Sequence, residues 1–115
     1  MNRFEDLEIW KRSVNLTKII YKEFSELKDF GFKDQITRSA LSIPSNIAEG
    51  HGRRSDRELY RFLNIAHGSL MEVETQLLIA KELGYLTEAA LAELLPRIAE
   101  IGRMLFGLMN ATRSE

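Results

Sequence analysis

Apolar residues recur at steps of three and four along most of this chain, and no long stretch alternates between apolar and polar. That spacing stacks side chains on one stripe of an α-helix and leaves little of the two-residue repeat that a half-buried strand needs. It directs the chain to an all-α fold. The only prolines, Pro44 and Pro96, fall inside the pattern without ending it.

Four amphipathic segments follow from the spacing. The first is expected from about Leu7 to Ser25, with Leu7, Trp10, Val14, Thr17, Tyr21 and Phe24 on its stripe and Asp6 as its N-cap. A turn around Asp29 to Gly31 comes next, where Gly31 is free to take a positive φ. The second segment is expected from Phe32 to Glu49, with Phe32, Ile36, Ala40, Ile43 and Ile47 facing inward. Pro44 removes a backbone donor there. Because Ile47 keeps the stripe of Ala40 and Ile43, a kinked continuation is favoured over a restart, and Gly50 is expected to end the helix as its C′ residue.

The third segment opens on Ser55-Asp56-Arg57-Glu58, a capping box in which serine and glutamate side chains satisfy free backbone donors. Leu59, Leu63, Ala66, Leu70, Val73, Leu77 and Ala80 then share one face until Gly84. The fourth starts at Thr87, an N-cap followed by Glu88, and carries Leu91, Leu94, Ile98, Ile101, Leu105 and Leu108; Pro96 is a candidate bend. Steps averaging about 3.5 residues favour packing near +20°, and short connections make sequential helices antiparallel. The expected fold is all-α, an antiparallel up-down-up-down four-helix bundle, with residues 1–115 as a single domain.

The chain's 115 residues suffice for one core. Absence of cysteine excludes disulfides, thiolate metal sites and a cysteine nucleophile. With 16 basic and 17 acidic residues, bulk charge names no partner, so a nucleic-acid reading must rest on local clustering. The start of the chain lacks a signal-peptide core, and no apolar run approaches the roughly 20 residues that span a bilayer. The expected location is cytoplasmic, with no membrane partner.

The most unusual stretch is SIPSNIAEGHGRRS, Ser42 to Ser55. Its Gly-x-Gly pair lacks the strand and lysine of a P-loop and the βαβ setting of a dinucleotide fingerprint. A bend and turn between helices explains Gly50 and Gly52 without chemistry. The arginines ask for more. Arg53, Arg54, Arg57 and Arg61 fall within nine residues, and Arg54, Arg57 and Arg61 share one face that Asn64 continues, with Tyr60 and His67 alongside. Arginines beside the free N–H groups of a helix start form a phosphate-contact surface, and Tyr60 or His67 offers a ring to an unpaired base. The competing reading is a solvated face of ion pairs, such as Glu58 with Arg54 and Arg61, and Glu49 with Arg38 or Arg53. Residues 33–61 hold six bases and four acids, whereas residues 62–115 hold four bases and seven acids, so a nucleic-acid surface belongs at the end joining the second and third helices.

Other chemistry finds no support. His51 and His67 lack paired metal-ligand spacing; Glu49, Glu72 and Glu74 belong to no Glu-x-x-His pair; and there is no nucleophile elbow. Neither an enzyme, a metal nor a cofactor is expected.

A second apolar stripe runs along the third segment through Phe62, Ile65, Ser69, Gln76, Ile79 and Leu83, and along the fourth through Leu95, Ala99, Gly102, Phe106 and Met109. Large exposed apolar patches are uncommon on soluble monomers. Phe62, Ile65, Ile79, Leu83, Leu95, Phe106 and Met109 are therefore the expected homo-oligomer interface. Gly68, next to Ala66 and Ser69, is expected where another helix comes close.

The combination FEDLEIWKRSVNL, QITRSALSIPSNIAEGHGRRSDRELYRFLNIAHGSLMEVETQL and ELGYL, from Phe4 to about Leu86, closely resembles the 23S rRNA intervening-sequence proteins. The resemblance implies a four-helix bundle that assembles as a homopentamer and has no enzymatic activity. It extends to the accessory variability determinant of diversity-generating retroelements, a basic pentamer that binds nucleic acid and partners a reverse transcriptase; the even charge balance here departs from that basic character. The expected function is thus a non-catalytic, RNA- or DNA-associated oligomer, RNA favoured, using the arginine cluster. The alternative is a protein-interaction adaptor whose arginines meet acidic side chains.

Overall fold

Four α-helices build the computed structural model, which describes residues 3–112: α1 (Glu8–Glu23), α2 (Phe30–His51), α3 (Asp56–Glu82) and α4 (Glu88–Thr112), with a 3-10 turn at Phe4–Asp6 before them. The side chain of Asp6 is outside what is described. Each helix packs on its neighbours in sequence, and α1 also packs on α4, which closes the ring. The body measures 45 × 20 × 20 Å. Its length suits a 27-residue helix at about 1.5 Å per residue, and its square section suits four helices about 10 Å apart. No strand occurs among the described residues, and no helix there is long and apolar enough to cross a membrane.

Pro44 sets the main local problem of the fold. It is buried inside α2, which runs through it as one helix. Proline has no N–H, so the Ala40 carbonyl one turn earlier loses its helical donor. Ala40 is fully buried, so water cannot compensate. Thr17 of α1 does so instead. Its Oγ1 lies 3.0 Å from the Ala40 oxygen and 2.8 Å from the Ser13 oxygen, and the hydroxyl proton serves both carbonyls. A buried acceptor left unpaired costs about 1–3 kcal/mol, so this contact ties α1 to the proline-bearing turn of α2.

The buried face of α1 keeps Thr17 and, just past the helix end, Phe24 from the expected stripe, but not Trp10, Val14 or Tyr21. Ile9, Ser13, Leu16, Thr17, Ile20 and Phe24 are buried, whereas Tyr21 is 47% exposed and Trp10 and Val14 are only half-buried. Hydropathy reads Ser13 as an outward residue. Its hydroxyl donates to the Trp10 carbonyl at 2.9 Å, so a small, satisfied polar group can sit in the core.

Helix ends follow local chemistry, with three departures from expectation. Ser55 Oγ accepts from the Glu58 N–H at 3.1 Å and Thr87 Oγ1 from the Ala90 N–H at 3.0 Å, as the caps predict. The Glu58 carboxylate, however, lies 3.7 Å from Arg61. Gly84, at φ +80°, ends α3: its N–H donates to Lys81 and that of Tyr85 to Ala80, the paired bonds of a Schellman cap. The cap position of α1 is Leu7, with no side-chain acceptor, rather than Asp6. The start of α2 is Phe30, capped by Asp29 through the Phe32 N–H at 3.1 Å, so Gly31 lies within the helix and takes no positive φ.

The same Asp29 ties two connections together. Its second carboxylate oxygen accepts from Tyr85 Oη at 2.8 Å, and the two bonds hold the Asp29 carboxyl below its ordinary pKa. Phe24, Phe32 and Tyr85 pack edge to face beside it.

Replacing Thr17 with valine keeps the shape but removes the donor. Chemical denaturation is expected to show a loss of about 1–3 kcal/mol, with Thr17→Ser losing less. A valine variant as stable as the parent would contradict the role given to Thr17.

Candidate nucleic-acid interface

Where α2 meets α3, the two backbones are closer than any side chain at position 50 allows. A Cβ on Gly50 would sit 2.9 Å from Phe62 Cβ and 3.1 Å from Leu59 Cδ1. Gly50 is therefore not the residue that ends α2. It is buried within the last turn, and Gly52 is the C-cap, at an ordinary φ of −84°. Sequence reading took both glycines for a turn; one of them is a packing contact.

The contact fixes the ring of Phe62, and the ring gathers arginines. The guanidinium carbons of Arg53 and Arg61 lie 4.8 and 4.7 Å from its centroid. Such cation–π contacts are worth about 0.5–1 kcal/mol at exposed sites. Arg53 also pairs with Glu49, and Arg61 lies 3.7 Å from Glu58. These two arginines are held beside an aromatic ring and a carboxylate each.

Arg54 and Arg57 differ. Both are exposed, and neither has an ion-pair partner among the described residues. They flank the Ser55 cap at the start of α3, where backbone N–H groups point out of the helix. The cluster thus divides into two anchored and two available cations. Asn64 is exposed on the face that Arg57 and Arg61 share. Tyr60 is half-buried against the core. The ring of His67 packs on that of Phe106, centroids 4.6 Å apart, so one expected stacking partner already has a neighbour.

One feature of this end was invisible in the sequence. The N-terminal 3-10 turn packs against α2, and a cleft of about 610 Å³ opens between Arg3, Phe4 and Glu5 on one side and His51, Gly52, Arg53 and Arg54 on the other. Arg3 donates to both carboxylate oxygens of Glu5, at 3.0 and 2.8 Å, which holds the Glu5 carboxyl below its ordinary pKa. Arg3 and Phe4 fell outside every helical stripe, which was the only available signal.

The expected oligomer surface is partly exposed. Ile65 and Ile79 on α3, Leu83 at its C-cap and Phe106 on α4 are 41–54% exposed, and Leu41 on α2 is 49% exposed. Phe62 and Leu95 are half-buried within the chain. Met109 must be removed from the set: it is 4% exposed and belongs to the chain's own core, because α4 turns that position onto the stripe of Ile98, Ile101 and Leu105. Gly68 is open within the chain. Nothing lies within 4 Å of where its Cβ would be, so no helix of the chain approaches it. On the same side of α3, Gln76 buries its Oε1 without a partner among the described residues. No group of three or more metal-ligating side chains occurs among the described residues.

The description of the 23S rRNA-intervening sequence proteins matches residues 5–107. The chain belongs to this family. It is also similar to the crystal structure of a protein of unknown function from the S23 ribosomal protein family of Bacteroides thetaiotaomicron. The two share 28% identity and superpose with a TM-score of 0.82, over 88% of this chain and 97% of that one. No curated protein matches. The match over residues 5–107 includes the Gly50–Phe62 contact and all four arginines, so the corner lies within the family's own domain rather than an appendage to it.

The two helical glycines should respond oppositely to alanine. Gly50→Ala must push α3 off α2 and is expected to lower stability by about 1–3 kcal/mol. Gly68→Ala meets nothing in the chain and is expected to raise it by up to about 1 kcal/mol. Thermal or chemical denaturation of both distinguishes them; equal effects would contradict the packing assigned to Gly50.

Proposed function

We propose that this family member is a non-catalytic RNA-binding protein that contacts phosphates through the corner between α2 and α3. The observation that carries the reading is the pair Arg54 and Arg57, exposed and without carboxylate partners among the described residues, beside the free N–H groups that open α3. Exposed arginine guanidinium groups and outward N–H donors suit phosphate oxygens, and the family's description as 23S rRNA-intervening sequence protein favours RNA over DNA. Asn64 extends the surface along α3.

The reading includes a single-domain, antiparallel up-down-up-down path, supported by short connections and by the Asp29–Tyr85 bond between the first and third of them. It also includes homo-oligomerisation in the cytoplasm. Exposed Leu41, Ile65, Ile79 and Leu83, the open Gly68 and the unpartnered Gln76 Oε1 support an oligomer, and the family resemblance implies a pentamer. The same exposed strip favours a second reading, a protein-interaction adaptor. A partner complex that survives nuclease treatment would support that one.

Titration against single-stranded RNA at several salt concentrations tests the first reading. Each phosphate contact contributes a log–log slope of about −0.7. Arg54→Gln and Arg57→Gln are each expected to reduce the slope by about one contact, and Arg53→Gln and Arg61→Gln by less. Slopes unchanged in all four variants would contradict the assignment.

A further inference from the structure

We propose that the cleft between the N-terminal 3-10 turn and the α2–α3 corner is a pocket for one unpaired nucleotide of a single-stranded RNA, with its base inside and its phosphate at Arg54. The proposal rests on the RNA reading above, and it names what the same corner selects.

Three properties of the cleft support it. Its volume of about 610 Å³ lies within the roughly 300–1,000 Å³ of small-ligand sites and suits one nucleotide unit. The surface lining it is mainly carbon, with Phe4 contributing a ring, and its lining residues include the cations Arg3, Arg53 and Arg54 and one carboxylate, Glu5. Arg3 already occupies that carboxylate with two hydrogen bonds. A mainly apolar lining with arginines beside it fits a flat aromatic base joined to an anion. Inorganic phosphate would leave the carbon surface uncovered, and a neutral apolar ligand would leave Arg54 without an ion-pair partner.

Strandedness follows from the same geometry. Bases in an RNA duplex are stacked and paired, and only an unpaired nucleotide can place its base in a cleft. Of the lining arginines, Arg53 is committed to Glu49 and Phe62, whereas Arg54 has no ion-pair partner among the described residues. Arg54 is therefore the phosphate contact. Arg57, on the other side of the Ser55 cap, is the second exposed arginine without an ion-pair partner among the described residues.

The chain carries its own reporter. Trp10 is its only tryptophan, and the Phe4 ring meets it edge to face at 5.3 Å. A base entering against Phe4 should alter Trp10 emission. Gly52 supplies a blocking variant: it lines the cleft, has an ordinary φ, and an added Cβ meets only backbone oxygens of Glu49 and Ala48 at 3.7 and 3.9 Å. Gly52→Leu is therefore expected to fold and to fill the space.

The experiment follows Trp10 fluorescence during titration with adenosine monophosphate, with inorganic phosphate as control, for the parent, Gly52→Leu and Arg54→Gln, each checked for helicity. In parallel, anisotropy compares a labelled single-stranded RNA with its duplex. The proposal expects a saturable response to the nucleotide and none to phosphate. It expects loss of that response in Gly52→Leu and roughly tenfold weaker binding in Arg54→Gln. It also expects at least about tenfold preference for the single strand, within the range that base stacking contributes. A nucleotide response without RNA binding would keep the pocket and overturn the RNA reading. RNA binding that is equal for duplex and single strand and unaffected by Gly52→Leu would overturn the pocket and keep the RNA reading. No response to nucleotide or RNA would overturn both.

Discussion

The approach of α2 to α3 at Gly50 is the contact on which the arginine-bearing end of the molecule depends. With Phe62 Cβ 2.9 Å from where a side chain would begin, only glycine lets the two helices meet at this depth. The meeting fixes Phe62, Phe62 holds Arg53 and Arg61, and Glu49 and Glu58 lie beside those two arginines. Arg54 and Arg57 remain as the available charge. A packing requirement with no chemistry of its own thus decides which cations face solvent unpaired.

Farther along α2 a similar logic holds the bundle together. Pro44 takes a donor from the buried Ala40 carbonyl, and Thr17 returns one from α1. The repair costs little, because the hydroxyl already sits near the Ser13 carbonyl of its own helix. It also holds α1 against α2 at Thr17, on a buried face that includes Ile9, Leu16 and Ile20. At the opposite end from the arginines, Asp29 caps α2 and accepts from Tyr85, so two connections share one carboxylate.

Long-period, locally specified features were legible from the residues. The caps of α3 and α4, their apolar stripes and the continuation of α2 through Pro44 all depend on neighbours within a few positions. What failed depended on distant ones. Two stripes compete on α1, and hydropathy favoured the one with Trp10 and Tyr21, because a serine that satisfies its hydroxyl on the backbone is not visible as a core residue. Gly50 read as a helix end because a glycine near a helix C-terminus has two explanations, and only the position of Phe62 distinguishes them. Met109 read as surface because Leu108 and Met109 are adjacent apolar residues, and only the packing of α4 shows that Met109 lies deeper. The arginine cluster was visible, but its division into anchored and available pairs required the ring of Phe62. The cleft depends on the 3-10 turn returning to the end of α2, and no local spacing reveals that return.

Chemical-shift mapping with isotopically labelled protein and a single-stranded RNA tests the central claim most directly. The largest perturbations are expected at Arg54 and Arg57, in the first-turn amides of α3, and in Arg3 and Phe4 across the cleft. Perturbations confined to the strip from Ile65 to Leu83, or no perturbation at low salt, would contradict the assignment of the α2–α3 corner as the RNA-contacting surface.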